Sequence, residues 1–125
     1  MKKLKLAFLG FVTLVGMALM PAAANANCQV GNCWGAVAYG PGGAWAYAVN
    51  FASRGWADRA ARNNCRGRCT NVLTFHNSCG AYASGPYGYG WGNAPSRYQA
   101  EAIALQQCNA RSPNCGVRVW GCTTR

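Results

Sequence analysis

A chain of 125 residues with 8 cysteines is long enough for one modest core, and its cysteine density points away from a reducing cytosol. A single histidine excludes multi-histidine metal sites and the H-E-x-x-H motif. The formal net charge of +10, against only two acidic residues, favours acidic or anionic partners over basic ones.

Met1-Lys2-Lys3-Leu4-Lys5 is a short basic opening, Leu6 to Met20 is apolar, and Ala24-Asn25-Ala26 fits a small-x-small cleavage site. The pattern is that of a secretory signal peptide spanning residues 1–26, too short for a comfortable membrane span. No small-residue box directly precedes Cys28, which argues against a lipid anchor. Cleavage after Ala26 removes every lysine and leaves nine arginines against Asp58 and Glu101, a net charge of +7. The expected location is periplasmic or secreted, with residues 27–125 forming one domain.

That domain is a duplication. Asn50-x-x-Ser53-Arg54-x-x-Ala57-Asp58-x-Ala60-Ala61-x-x-x-Cys65 recurs as Asn93-x-x-Ser96-Arg97-x-x-Ala100-Glu101-x-Ile103-Ala104-x-x-x-Cys108, at an offset of 43. In the first unit, residues 33–78, Trp34 to Tyr39 reads as a strand and Gly40-Pro41-Gly42-Gly43 as a turn. Ala44 to Val49 returns as a strand in which Trp45, Tyr47 and Val49 alternate. Ser53 is placed to cap a helix running from Arg54 to about Cys65, and Asn71 to Phe75 forms a third strand. The second unit, residues 79–122, repeats the order. Strands at Ala81–Ser84 and Tyr87–Gly92 precede a helix with a capping-box pattern at Ser96 and Gln99, and Val117–Trp120 is the last strand. The predicted fold is α+β, two ββαβ units whose helices lie on a shared antiparallel sheet.

An even cysteine count in an exported chain reads as a disulfide framework. The repeat pairs Cys65 with Cys69 and Cys108 with Cys115; Cys28 with Cys33 and Cys79 with Cys122 would complete the set. Cys65-x-x-x-Cys69 also resembles half a zinc site, but disulfides are favoured in this setting, and no metal or cofactor is expected. The acidic residues sit four positions after an arginine in both helices (Arg54/Asp58 and Arg97/Glu101), which suits helix-dipole compensation and i,i+4 pairing better than catalysis.

The copies differ on their outer helix faces. Arg59, Arg62 and Arg66 form a basic face in the first, where Ala102, Leu105 and Asn109 stand in the second. This basic face is the leading candidate for a partner surface. The second is the Gly/aromatic hairpin, where Tyr87, Tyr89 and Trp91 alternate with glycine and could offer ring faces to a ligand. His76, the lone histidine, reads as a hydrogen-bonded turn residue. A triad with Ser78 and Asp58 has no motif support.

Trp34-Gly35-Ala36-Val37-Ala38-Tyr39, Gly90-Trp91-Gly92 with Ser96, Ala100-Glu101-Ala102 and Cys108, and Cys115…Val117-Arg118-Val119-Trp120…Cys122 together resemble domain-of-unknown-function family 4189 of exported bacterial proteins. The resemblance implies a small cysteine-bearing domain with internal pseudo-symmetry, and it implies no activity and no catalytic residues. The functional expectation is a non-enzymatic exported module that binds an acidic protein or an anionic envelope polymer, without nucleic acid or a stable membrane anchor. The alternative is an inhibitor or immunity-type protein acting on a cell-wall hydrolase, and a third reading is a small hydrolase using His76.

Overall fold

The computed structural model describes residues 28–124, so the expected signal peptide lies outside the described residues. Each unit builds its own antiparallel sheet. In the first, β1 (Trp34–Gly40) lies between β2 (Ala44–Phe51) and β3 (Asn71–His76). In the second, β4 (Cys79–Ser84) lies between β5 (Tyr89–Ala94) and β6 (Gly116–Cys122). Helix α1 (Arg54–Asn64) joins β2 to β3, and α2 (Arg97–Asn109) joins β5 to β6. The class, the duplicated ββαβ order and the disulfide staples match the sequence expectation. The strands nevertheless form two three-stranded sheets instead of one shared sheet.

Side-chain size on alternate strand positions explains this. Ala36, Ala38, Ala46 and Ala48 point one way, and α1 lays Ala57 and Ala61 on them. Ala81, Ala83 and Ala94 do the same for Ala100, Ala104 and Cys108 of α2. The opposite faces carry the bulky residues Val37, Tyr39, Phe75, Tyr82 and Val119, which bury against each other with Val49 and Leu73 at the margin. Both faces of each sheet therefore need cover, and the result is four layers: helix, sheet, sheet, helix. Small residues permit close approach of the helices. A Cβ on Gly90 or Gly92 would stand 2.3 Å from the Ala104 or Ala100 carbonyl oxygen of α2.

Between the sheets, Phe75 is the central piece. It is 2% exposed, and its ring fills the space that side chains on Gly35 and Gly80 would occupy; a Cβ at either would lie 2.4 Å from a ring carbon. Gly35 pairs with Phe75 in the first sheet, and Gly80 pairs with Gly121 in the second, so Gly121 stands where the duplication would otherwise place a second bulky residue. One ring fits the centre, and the other copy gives way.

The helix ends form as their caps require. Ser53 Oγ accepts the Trp56 N–H at 3.3 Å, and Ser96 Oγ accepts the Gln99 N–H at 3.2 Å. Glu101 pairs with Arg97 at 2.6 Å as expected, whereas Asp58 pairs with Arg62, at 2.7 Å, and not with Arg54. The Arg54 guanidinium instead lies over the Trp34 ring, 4.9 Å from its centroid. Ring contact with partial desolvation competes well against an exposed i,i+4 ion pair.

All four expected disulfides are present: Cys28–Cys33, Cys65–Cys69, Cys79–Cys122 and Cys108–Cys115. Three close short loops. Cys79–Cys122 spans 43 residues and contributes about 4 kcal/mol by loop entropy, against about 2 kcal/mol for Cys65–Cys69. Nearby, Thr123 Oγ1 accepts the Ser78 N–H at 2.9 Å, and Asn50 Oδ1 accepts the Thr124 N–H at 2.8 Å, tying the end of the second unit to the first. Asn50 adopts φ 66°, in the left-handed region that asparagine tolerates.

Because the Phe75 ring and the Gly80 backbone share one space, Gly80→Ala is expected to cost about 2 kcal/mol in denaturant unfolding through overpacking. In a Phe75→Leu background the same change should cost less than half as much; equal costs in both backgrounds would mean that the ring does not set the sheet spacing.

Candidate functional site

The three groups that a triad would need do not converge. His76 Nε2 lies 3.1 Å from Asn32 Oδ1, and its ring stacks on Trp34 at 4.4 Å. Ser78 Oγ accepts from Asn93 Nδ2, and Asp58 is engaged by Arg62, so none of the three is hydrogen-bonded to another. All eight cysteines are in disulfides, and the described residues contain no cluster of three His, Cys, Asp or Glu placed to hold a metal.

The three arginines of the expected basic face take separate positions. Arg59 lies over the Trp56 ring at 4.9 Å, and Arg62 is paired with Asp58. Arg66 falls beyond the end of α1, where its backbone bridges to Trp45 on β2. The Gly/aromatic hairpin is also divided. Tyr87 is 80% exposed in the turn, Trp91 is half exposed on β5, and Tyr89 leans against Tyr39 and Tyr82, with ring centroids 5.4 and 6.1 Å away. Its glycines Gly90 and Gly92 serve the close contact with α2.

The structure assembles a different surface. The edge strands β2 and β6 of the two sheets lie against each other, and the seam there is a groove of about 370 Å³. Trp45, Tyr47 and Val49 form one wall, with Arg118, Trp120 and Gly121 on the other. A second groove of about 420 Å³ follows the outer side of β2 from Trp45 to Phe51 and ends at Asn64 and Arg66. Trp45, Tyr47 and Val49 belong to both. Trp45, Tyr47 and Trp120 are each 38–49% exposed, a large apolar area for side chains on strand edges.

Each groove carries an arginine, Arg118 in the first and Arg66 in the second. Arg118 donates from Nε to Ser84 Oγ at 3.0 Å and from Nη2 to the Ser84 carbonyl at 3.1 Å. The two ion pairs among the described residues use Asp58 and Glu101, the only acidic side chains there, and they engage Arg62 and Arg97. Arg66 and Arg118 therefore pair with no carboxylate among the described residues. Trp120 is further buttressed by Arg97, whose guanidinium carbon lies 3.7 Å from the ring centroid. The period-two alternation of Trp45, Tyr47 and Val49 is visible in the sequence. Their juxtaposition with Arg118 and Trp120 depends on how the two sheets stack.

A second concavity, of about 340 Å³, lies at the end of the sandwich where the Pro41–Gly43 turn meets the Gly85–Gly88 turn. Tyr39 and Tyr82 stack in its floor at 4.3 Å with planes 12° apart, and Tyr89 closes one side. Burial, reinforced by the neighbouring Tyr89 and Tyr82 phenols, pushes the Tyr39 pKa up to about 12 from 10.0. The unfolded chain then releases this proton near pH 10 while the folded chain keeps it, so the stabilisation is complete below pH 10 and is lost as pH rises toward 12. Urea unfolding at stepped pH should show a loss of about 2 kcal/mol across that window, and Tyr39→Phe should remove most of it; an unchanged slope in the variant would contradict this placement of the phenol.

Comparison with known proteins adds one positive finding. No curated protein and no solved structure matches the chain. The family model "Domain of unknown function (DUF4189)" matches residues 34–122, which takes in all six strands, both helices and the β2/β6 seam. The chain belongs to the DUF4189 family.

Proposed function

We propose that this protein is an exported, non-enzymatic binding module that holds an anionic polysaccharide of the cell envelope across β2, from the groove it forms with β6 to the groove on its outer side. The supporting observation is the combination of exposed Trp45, Tyr47 and Trp120 rings with two arginines, Arg66 and Arg118, that pair with no carboxylate among the described residues. The C–H face of a pyranose ring packs against an aromatic face, and a guanidinium grips a carboxylate or phosphate with paired donors. Four disulfides fit an oxidising compartment outside the cytosol, and the basic, apolar and small-residue segments of residues 1–26 supply the means of export. The main contact is at the seam, with Arg59 and Arg62 adding only long-range attraction, because one is stacked on Trp56 and the other is paired.

Titration with oligogalacturonate at low and moderate salt tests this. Arg66→Gln with Arg118→Gln should weaken binding about tenfold and flatten its salt dependence, while Arg59→Gln with Arg62→Gln should change it less than about twofold. Undiminished binding by the first pair, or a dominant loss in the second, would remove the groove from the proposal.

A further inference from the structure

The concavity at the turn end has chemistry unlike that of the groove. Tyr39 and Tyr82 are 7% and 5% exposed, so more than nine-tenths of each side chain is buried. A buried phenol ordinarily hydrogen-bonds within the protein. Here, among the described residues, no protein group bonds the hydroxyl of Tyr39, Tyr82 or Tyr89, although every fully sealed side-chain polar atom has a partner. The three side chains all line the concavity. Their hydroxyls are therefore open to solvent, and the three side chains share one open space.

The rest of the lining narrows the ligand. Asn71 and Ser84 add neutral polar groups, and no charged side chain contributes to the wall. Gly42 and Gly43, at φ 75° and 80°, leave their backbone bare, and a Cβ on either would meet nothing within 4 Å. Close approach to the peptide groups is open on that side. Arg118 and Arg111 reach only the rim of the concavity, where they are engaged by Ser84 and by the Tyr89 carbonyl. A charged ligand would therefore find no charged side chain in the wall itself, and an apolar one would leave three hydroxyls unpaired. A flat, neutral, polyhydroxylated molecule meets both conditions. At about 340 Å³ the space lies near the lower end of ligand pockets, enough for one or two sugar rings.

We infer that this pocket binds a neutral sugar unit, with Tyr39, Tyr82 and Tyr89 as its hydrogen-bonding array and the Gly42–Gly43 backbone as its lip. The inference concerns a separate site and stands whether or not the β2/β6 groove takes an anionic polymer. Because Tyr39 keeps its proton until about pH 12, it remains a donor throughout the physiological range.

The test is titration of the isotope-labelled protein with cellobiose and with N,N′-diacetylchitobiose, followed by amide resonances. At least one sugar should shift Gly42, Gly43 and Gly88 saturably, with millimolar affinity. Tyr39→Phe with Tyr82→Phe should weaken that binding about tenfold while the amide spectrum keeps its dispersion. If the buried pair fails to fold, Tyr89→Phe alone, at a half-exposed position, should weaken it about threefold. No saturable shift with either sugar, shifts confined to the β2/β6 groove, or affinity unchanged in the phenylalanine variants would each overturn the inference.

Discussion

The Phe75 ring, seated over Gly35 in its own sheet and against Gly80 in the other, sets the distance between the sheets. A duplicated chain presents the same problem twice at its centre, and two large side chains there would force the sheets apart. Here one copy supplies the ring and the other supplies Gly121. Local packing therefore breaks the pseudo-symmetry without disturbing either ββαβ unit. The loss of a second buried aromatic is offset elsewhere in the same layer, where Tyr39 stacks on Tyr82. A layer this thin allows the β2 and β6 edges to come together, and that contact creates the aromatic seam.

Edge strands normally need protection, because their free N–H and C=O groups invite pairing with other chains. The start of β2 is blocked by the Trp45–Arg66 bridge, and its large rings lean toward β6 instead of leaving a flat edge. The same rings cost the molecule exposed apolar area. Exposed Trp45, Tyr47 and Trp120 beside Arg66 and Arg118 are the chemistry on which the proposed ligand binding rests. The scaffold suits that role. Cys79–Cys122 fixes β6 to β4, and Arg97 supports the Trp120 ring from the α2 side, so one wall of the groove is held in place by the fold itself.

Most local structure was legible in the sequence because it rests on short-range chemistry. Ser53 and Ser96 announce the helix starts, the repeat pairs the helix-end cysteines, and alternation locates the strands to within about two residues. The layer arrangement was less accessible. The unbroken apolar run Ala36-Val37-Ala38-Tyr39 carries small residues for the helix and large ones for the other sheet, the mark of a strand covered on both faces. Period-two alternation identifies two faces without naming what covers each. The partner of Asp58 turned on whether Arg54 preferred a neighbouring ring, Trp34, which lies far from it in sequence. The stripe of Arg59, Arg62 and Arg66 assumed one continuous helix, but α1 stops at Asn64 and hands Arg66 to the β2 edge. The groove itself joins residues from both repeats, so neither copy alone could announce it.

The five tryptophans provide separate reporters for the competing surfaces. Trp45 and Trp120 line the seam, Trp56 lies under Arg59 on the basic helix, and Trp91 sits on the Gly/aromatic hairpin. Indole Nε1–H resonances recorded during titration with an anionic oligosaccharide distinguish them in one experiment. Binding in the groove shifts Trp45 and Trp120 together and leaves Trp56 and Trp91 in place. Shifts confined to Trp56 or Trp91, with Trp45 and Trp120 unmoved, would place the partner surface elsewhere and contradict the account.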